Sequence, residues 1–263
     1  MTAIYEPKGA AREYAELACN LYRGCLHSCH YCYAPGCLRM KPEQFHASVS
    51  ARPGILKQLE NDADKMAASG DRRRVLFCFT SDPYQPLPDG VDVTREALQI
   101  MVDRGLNFEV CTKGGLRAER DFDLLQQGGR LGVSLVWNSA ARKCLEPRAA
   151  SVFERRLSLQ RAHRRGIETW LSVEPVIDPA QALEVIGNTR PVVDEFRVGK
   201  INSRTIHQIP VGWQDLVRSV NWQAFVDEAY SLLSRSGRRF MFKESLHPYL
   251  HGRPATGGPE VTP

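Results

Sequence analysis

Nowhere in its 263 residues does the chain hold the roughly 18 consecutive apolar residues that a membrane-spanning helix requires. Residues 1–20 also lack the apolar run of a secretory signal, so a cytoplasmic protein is predicted. No internal repeat and no long linker divides the chain. Charge of one sign is not in great excess: the formal net charge is +5, which permits a phosphate-bearing partner without demanding one. No aromatic platform of the RNA-binding kind appears. Arginines do gather at Arg72–Arg74, at Arg155, Arg156, Arg161, Arg164 and Arg165, and at Arg238 and Arg239. Helical spacing scatters the second group, so no single phosphate-binding stripe follows. Nucleic acid is a partner the sequence allows but does not call for.

What is present is enough apolar material, 43% of residues, for one substantial core. Short strand-like runs alternate with longer helix-like ones. Strands are predicted at 18–21, 74–79, 107–112, 131–137, 169–173, 195–198 and 239–242. Helices are predicted at 53–68, 94–104, 119–127, 150–165, 179–186 and 222–234. This alternation implies an α/β fold with a parallel sheet and outer helices. Six or seven strands are too few for a closed eight-stranded barrel; a partial (β/α)6-type barrel or a doubly wound sheet fits. Either one places chemistry at the carboxyl ends of the strands. Residues 1–250 are predicted to form one domain. Residues 251–263, rich in Pro, Gly and Thr, read as a flexible tail.

Eight cysteines in a reducing compartment point to metal or redox chemistry rather than disulfides. Cys25, Cys29 and Cys32 make a C-x3-C-x2-C motif within Asn20–Pro35, NLYRGCLHSCHYCYAP. Thiolates bind iron–sulfur clusters, normally through four cysteines. Three in a tight loop can hold three irons of a [4Fe–4S] cluster and leave the fourth open. A zinc site is the alternative, with His27, His30 or Cys37 as fourth ligand. No second, separated ligand pair accompanies the motif.

The motif and its context, C-x3-C-x-Y-C-Y, resemble the radical SAM superfamily, in particular its spore photoproduct lyase-like branch. The resemblance implies a partial-barrel enzyme that cleaves S-adenosylmethionine (SAM) at its cluster. The resulting 5′-deoxyadenosyl radical takes a hydrogen atom from an unidentified substrate, and a reductant such as flavodoxin or ferredoxin supplies the electron. It further implies that Tyr33 lies near the adenine or the cluster. Gly24 suits a turn that brings the loop backbone close to the cluster.

Polar residues at successive strand ends would contact the cofactor. Thr80-Ser81-Asp82 stands where many superfamily members have a glycine-glycine-glutamate turn; it resembles the lyase branch, with Ser81 as the SAM contact. Lys113 follows the next strand and would pair with the SAM carboxylate. Ser134 would face the cofactor, and Glu146-Pro147 before an arginine-bearing helix also resembles the family. Glu174, Lys200 and Asn202 are further contacts to cofactor or substrate, or else a cap and loop polar groups. One departure stands out. The resemblance implies a hydrogen-donating cysteine immediately before the Thr-Ser-Asp turn, but Phe79 is there and Cys78 is one step away, on the opposite strand face. Cys78 and Cys111 read as buried small hydrophobes. A DNA photoproduct lyase and a non-catalytic iron–sulfur or zinc protein are the alternative readings.

Overall fold

A computed structural model describes residues 2–139 and 143–259. Its main sheet has nine strands. Seven run parallel in spatial order: β2 (Leu17–Cys19), β5 (Val75–Phe77), β6 (Phe108–Thr112), β7 (Gly129–Ser134), β8 (Glu168–Val176), β9 (Glu195–Lys200) and β10 (Arg239–Phe242). Two short antiparallel strands close the edges, β1 (Ile4–Tyr5) on β2 and β11 (Thr256–Gly257) on β10. A separate ribbon pairs β3 (Tyr22–Arg23) with β4 (Ser50–Ala51).

Helices carry the crossovers. After β2 come α1 (Ala34–Cys37), α2 (Pro42–Ala47) and α3 (Ile55–Ser69). Then α4 (Thr94–Asp103), α5 (Phe122–Leu125), α6 (Val152–Arg164) and α7 (Pro179–Thr189) each precede the next strand, and α8 (Val211–Ser219) and α9 (Trp222–Ser234) lead to β10. Local chemistry sets several starts. Ser151 and Glu154 form a reciprocal capping box on α6, and Asp178 and Asn221 cap α7 and α9.

The sheet and outer helices are as the alternation predicts. The differences are local. The helix predicted over 119–127 is a 3-10 segment, Gly115–Asp121, running into the single turn of α5. Helix α8, with Val211, Trp213, Leu216 and Val217, adds to the predicted set. The predicted tail from His251 is instead tied back to the sheet through β11, with Phe240 opposite Gly257 and Met241 opposite Thr256. Residues 260–263 of that tail lie outside the described residues.

The two faces of the sheet are chemically opposite. Phe108, Val110, Leu131, Val133, Leu171, Val173, Phe196 and Val198 are buried in the main apolar core. The alternate positions turn inward and are largely polar. Glu109 of β6 accepts from Arg197 of β9 at 2.9 Å and from Arg130 of β7 at 3.3 Å. Glu195 takes the other sides of Arg130 and Arg197 at 2.5 and 2.6 Å. In a flat sheet β6 and β9 would stand about 14 Å apart, so this ion stack fits a sheet curled on itself. Burial opposes the Glu195 charge, but Arg197 and Arg130 outweigh it and hold the carboxyl down at about 2.

Above the stack, the Arg197 guanidinium lies 3.9 Å from the centroid of Trp170. The indole occupies the space over Gly132, directly opposite it in register. A Cβ at Gly132 would stand 2.1 to 2.6 Å from three indole atoms. Gly132→Val is therefore predicted to overpack this floor by about 3 kcal/mol. A fall in Tm of roughly 6–12 °C by calorimetry is expected; an unchanged Tm would show that the indole is free to move.

Candidate active site

The strand carboxyl ends meet the cysteine loop through one buried carboxylate. Asp82 leaves β5 in the Thr-Ser-Asp turn and is 5% exposed. Its oxygens accept from the Thr112 hydroxyl at 2.6 Å, the Lys113 backbone N–H at 2.6 Å and the Tyr84 N–H at 2.8 Å. The His27 Nε2 lies 3.1 Å away, outside hydrogen-bond geometry. Burial opposes the Asp82 charge, but His27, the Lys113 N–H and the Thr112 hydroxyl more than offset it and hold the group well below the usual carboxylate range. A second tie runs from Gln85, whose side-chain oxygen accepts from the Leu26 N–H at 2.7 Å. The cysteine loop is thus fastened over the ends of β5 and β6.

Further contacts fix the loop's course. His46 Nδ1 meets the Cys25 carbonyl at 2.7 Å, and the His30 N–H donates to Leu145 O at 2.9 Å. Gly24 has φ +82°, and a Cβ there would meet the Ser48 carbonyl oxygen at 2.0 Å. The close approach expected at Gly24 is therefore to the backbone after α2.

Cys29 and Cys32 lie near enough to raise the pKa of Cys25, and Cys32 near enough to raise that of Cys29. Burial is the largest cause in all three and keeps the thiols protonated; Cys29 is pushed up to about 12. Metal binding would displace those protons. Among the described residues, no three His, Cys, Asp or Glu side chains meet closely enough to ligate one ion. His27 is engaged with Asp82 and with Arg148 O, at 3.3 Å.

The other predicted residues sit around this loop. Tyr33 is 37% exposed, and its hydroxyl donates to Phe79 O at 2.6 Å. Ser81 Oγ is buried beside the Cys78 thiol, close enough to offset part of the rise that burial gives that thiol's pKa. Lys113 Nζ lies 5.7 Å from the Tyr31 ring centroid. Burial opposes its charge, yet Cys29 and Glu146 hold its pKa above the usual lysine value. Glu146 is buried between the Tyr31 hydroxyl and Arg155, whose guanidinium also donates to Ser134 O at 3.0 Å. Ser134 faces inward, its hydroxyl 3.3 Å from Glu174 O. Glu174 takes the Tyr14 hydroxyl and, at 3.0 Å, the Lys243 ammonium.

Two predicted contacts are engaged elsewhere. Lys200 Nζ lies 3.3 Å from the Tyr249 hydroxyl and over Trp222, and Asn202 caps the turn that follows it. Cys78, at φ +64°, is buried in the apolar core with its N–H on Cys19 O at 2.8 Å. Cys111, by contrast, shares the inward face with Glu109 and is half-buried. Sequence reasoning missed Tyr14, Lys243 and the central role of Asp82. The first two come from opposite ends of the chain, and no local spacing links them.

A model of the Radical SAM superfamily matches residues 19–184, well over half of the chain. The chain belongs to the radical SAM superfamily. It is a SAM-cleaving radical enzyme, and the superfamily implies an iron–sulfur cluster. An uncharacterized protein of Methanocaldococcus jannaschii is 22% identical over 84% of this chain and 87% of its own length. An uncharacterized protein of Acidianus two-tailed virus is 26% identical, over 93% of this chain and 84% of its own. Among solved structures, a spore photoproduct lyase mutant with bound AdoMet and dinucleoside spore photoproduct aligns with TM-score 0.60 and 17% identity over 82% of this chain. Streptococcus suis SuiB bound to S-adenosylmethionine aligns with TM-score 0.60 and 11% identity over 88% of this chain. These likenesses show the shared fold. The chain spans 64% of the lyase and 51% of SuiB. No helix among the described residues is long and apolar enough to cross a membrane.

Asp82→Asn places an amide where three donors converge. A cost of about 3 kcal/mol is predicted, as for other broken buried pairs. The depressed pKa means the carboxylate stabilises the fold fully above its unfolded value near 3.9 and loses that contribution as pH falls below it. Urea titrations should show wild type and variant converging at acid pH. Equal stability at neutral pH would contradict the assignment.

Proposed function

We propose that Cys25, Cys29 and Cys32 hold a [4Fe–4S] cluster, and that SAM binds at its open iron with Tyr33, Ser81, Lys113 and Ser134 around it. Bound there and reduced, the cluster supplies the electron that splits SAM into methionine and a 5′-deoxyadenosyl radical, which abstracts hydrogen from a substrate still to be identified. The observation that carries this reading is the mouth of the sheet: the Cys29 and Cys32 thiols lie within charge range of the Lys113 ammonium, Cys25 neighbours both, and the Ser81 turn adjoins them.

Lys113 pairs with an incoming carboxylate as a point charge; its raised pKa keeps it cationic through neutral pH. Ser81, in the adjoining turn, would offer its hydroxyl to the same ligand by turning from the Cys78 thiol. Tyr33 presents a partly exposed ring beside Cys32, held by its bond to Phe79 O. Ser134 marks the inner wall, its carbonyl fixed by Arg155. The eight unpaired cysteines suit a reducing cytoplasm, where flavodoxin or ferredoxin would supply the electron. A photoproduct lyase reaction is less well supported, because Phe79 carries no thiol and Cys78 points into the apolar core.

The test is anaerobic reconstitution with iron and sulfide, dithionite reduction and chromatography of 5′-deoxyadenosine after SAM is added. Wild type should form it, and the Cys25/Cys29/Cys32→Ala variant should not. Lys113→Ala should raise KM for SAM about tenfold or more with a smaller change in kcat, as expected for loss of ground-state binding. Protein that takes up zinc and no iron–sulfur cluster would overturn the proposal.

A further inference from the structure

The residues after β9 lie outside the stretch that the superfamily model matches, yet they reach back to the cysteine loop. The turn Ser203–Gln208 begins under the Asn202 cap, and its last residue places a side-chain amide against that loop. With its nitrogen turned to the loop, the Gln208 amide donates to His30 O at 3.1 Å and to Cys32 O at 3.2 Å. These carbonyls belong to one predicted cluster ligand and to the residue two before it. The amide has a firm base: Ile201, Thr205 and Ile209 are all buried, and Thr205 bonds back to Asn202 O through both its N–H and its hydroxyl.

Elsewhere the loop is fastened from its other sides. Asp82 and Gln85 hold the first part at His27 and Leu26, and Leu145 takes the His30 N–H. The Cys32 N–H bonds within the loop, to Cys29 O at 3.1 Å. The two carbonyls that Gln208 meets complete this pattern on the side nearest Cys32.

We propose that Gln208 is a positioning residue that clamps the Cys32 end of the cluster loop, so that the segment after β9 governs how firmly the cluster is retained. This rests on the cluster assignment above. Two hydrogen bonds, each worth about 0.7 kcal/mol, hold the loop closed. Removing both amounts to about a tenfold change in the opening equilibrium.

The test uses the full-length, reconstituted protein and follows the visible absorbance of the cluster in excess chelator. Gln208→Leu keeps nearly the same volume and removes both donors. It should lose cluster about tenfold faster than wild type and show faster amide exchange confined to residues 27–34. Gln214→Leu is the control: it loosens the same segment by removing a 2.8 Å bond to Ile209 O without touching the cysteine loop, and should retain cluster as wild type does. Equal retention in Gln208→Leu and wild type, or equal loss in both variants, would overturn the clamp while leaving the cluster assignment intact. A wild type that takes up no cluster would remove both.

Discussion

The arrangement at the sheet's mouth depends on the buried carboxylate of Asp82. Three donors from β5, β6 and their turns converge on it, with His27 from the cysteine loop on its flank. An unpaired carboxylate in such a place would be costly, so its partners must all arrive together for the charge to be tolerated. That requirement couples the loop that carries the thiols to the strand ends that carry Ser81 and Lys113. A second buried pair, Glu146 with Arg155, joins Tyr31 of the loop to the Ser134 carbonyl at the end of β7. Two carboxylates thus fix one loop against three successive strands.

Deeper in the sheet, charge does a different job. The Glu109, Arg130, Glu195 and Arg197 stack fills the space beneath Trp170, and the indole over Gly132 forms the floor above it. Nearer the strand ends than this floor, the inward-facing residues are Cys111, Ser134, Ser172 and Glu174. Tyr14 and Lys243 enter from the chain's two ends and meet at Glu174, closing this wall where the sheet stops.

Much of this was legible in the sequence, and the reasons differ by residue. The Cys25, Cys29 and Cys32 motif is local, so spacing alone reveals it. Ser81 and Lys113 follow predicted strands directly, and position in the fold marks them. The inward direction of Glu109 was also available, because Phe108-Glu109-Val110 alternates with period two. It was overlooked because a charged residue inside a parallel strand looks like an error until its partners on β7 and β9 are known. Gln208, Tyr14 and Lys243 could not be read at all: their contacts span long sequence distances and use ordinary residue types. The strand β11 hid in a Pro- and Gly-rich stretch whose composition resembles a tail, while two backbone-paired residues suffice to tie it down.

In the proposed site three cysteines hold a four-iron cluster with one iron left for SAM. Mössbauer spectroscopy of protein reconstituted with 57Fe, before and after SAM is added, tests it most directly. Four irons per chain are expected and, with SAM, one iron in four shifting away from the other three toward a higher coordination number. Four irons that stay unchanged when SAM is added would contradict it, as would iron that is absent from wild type.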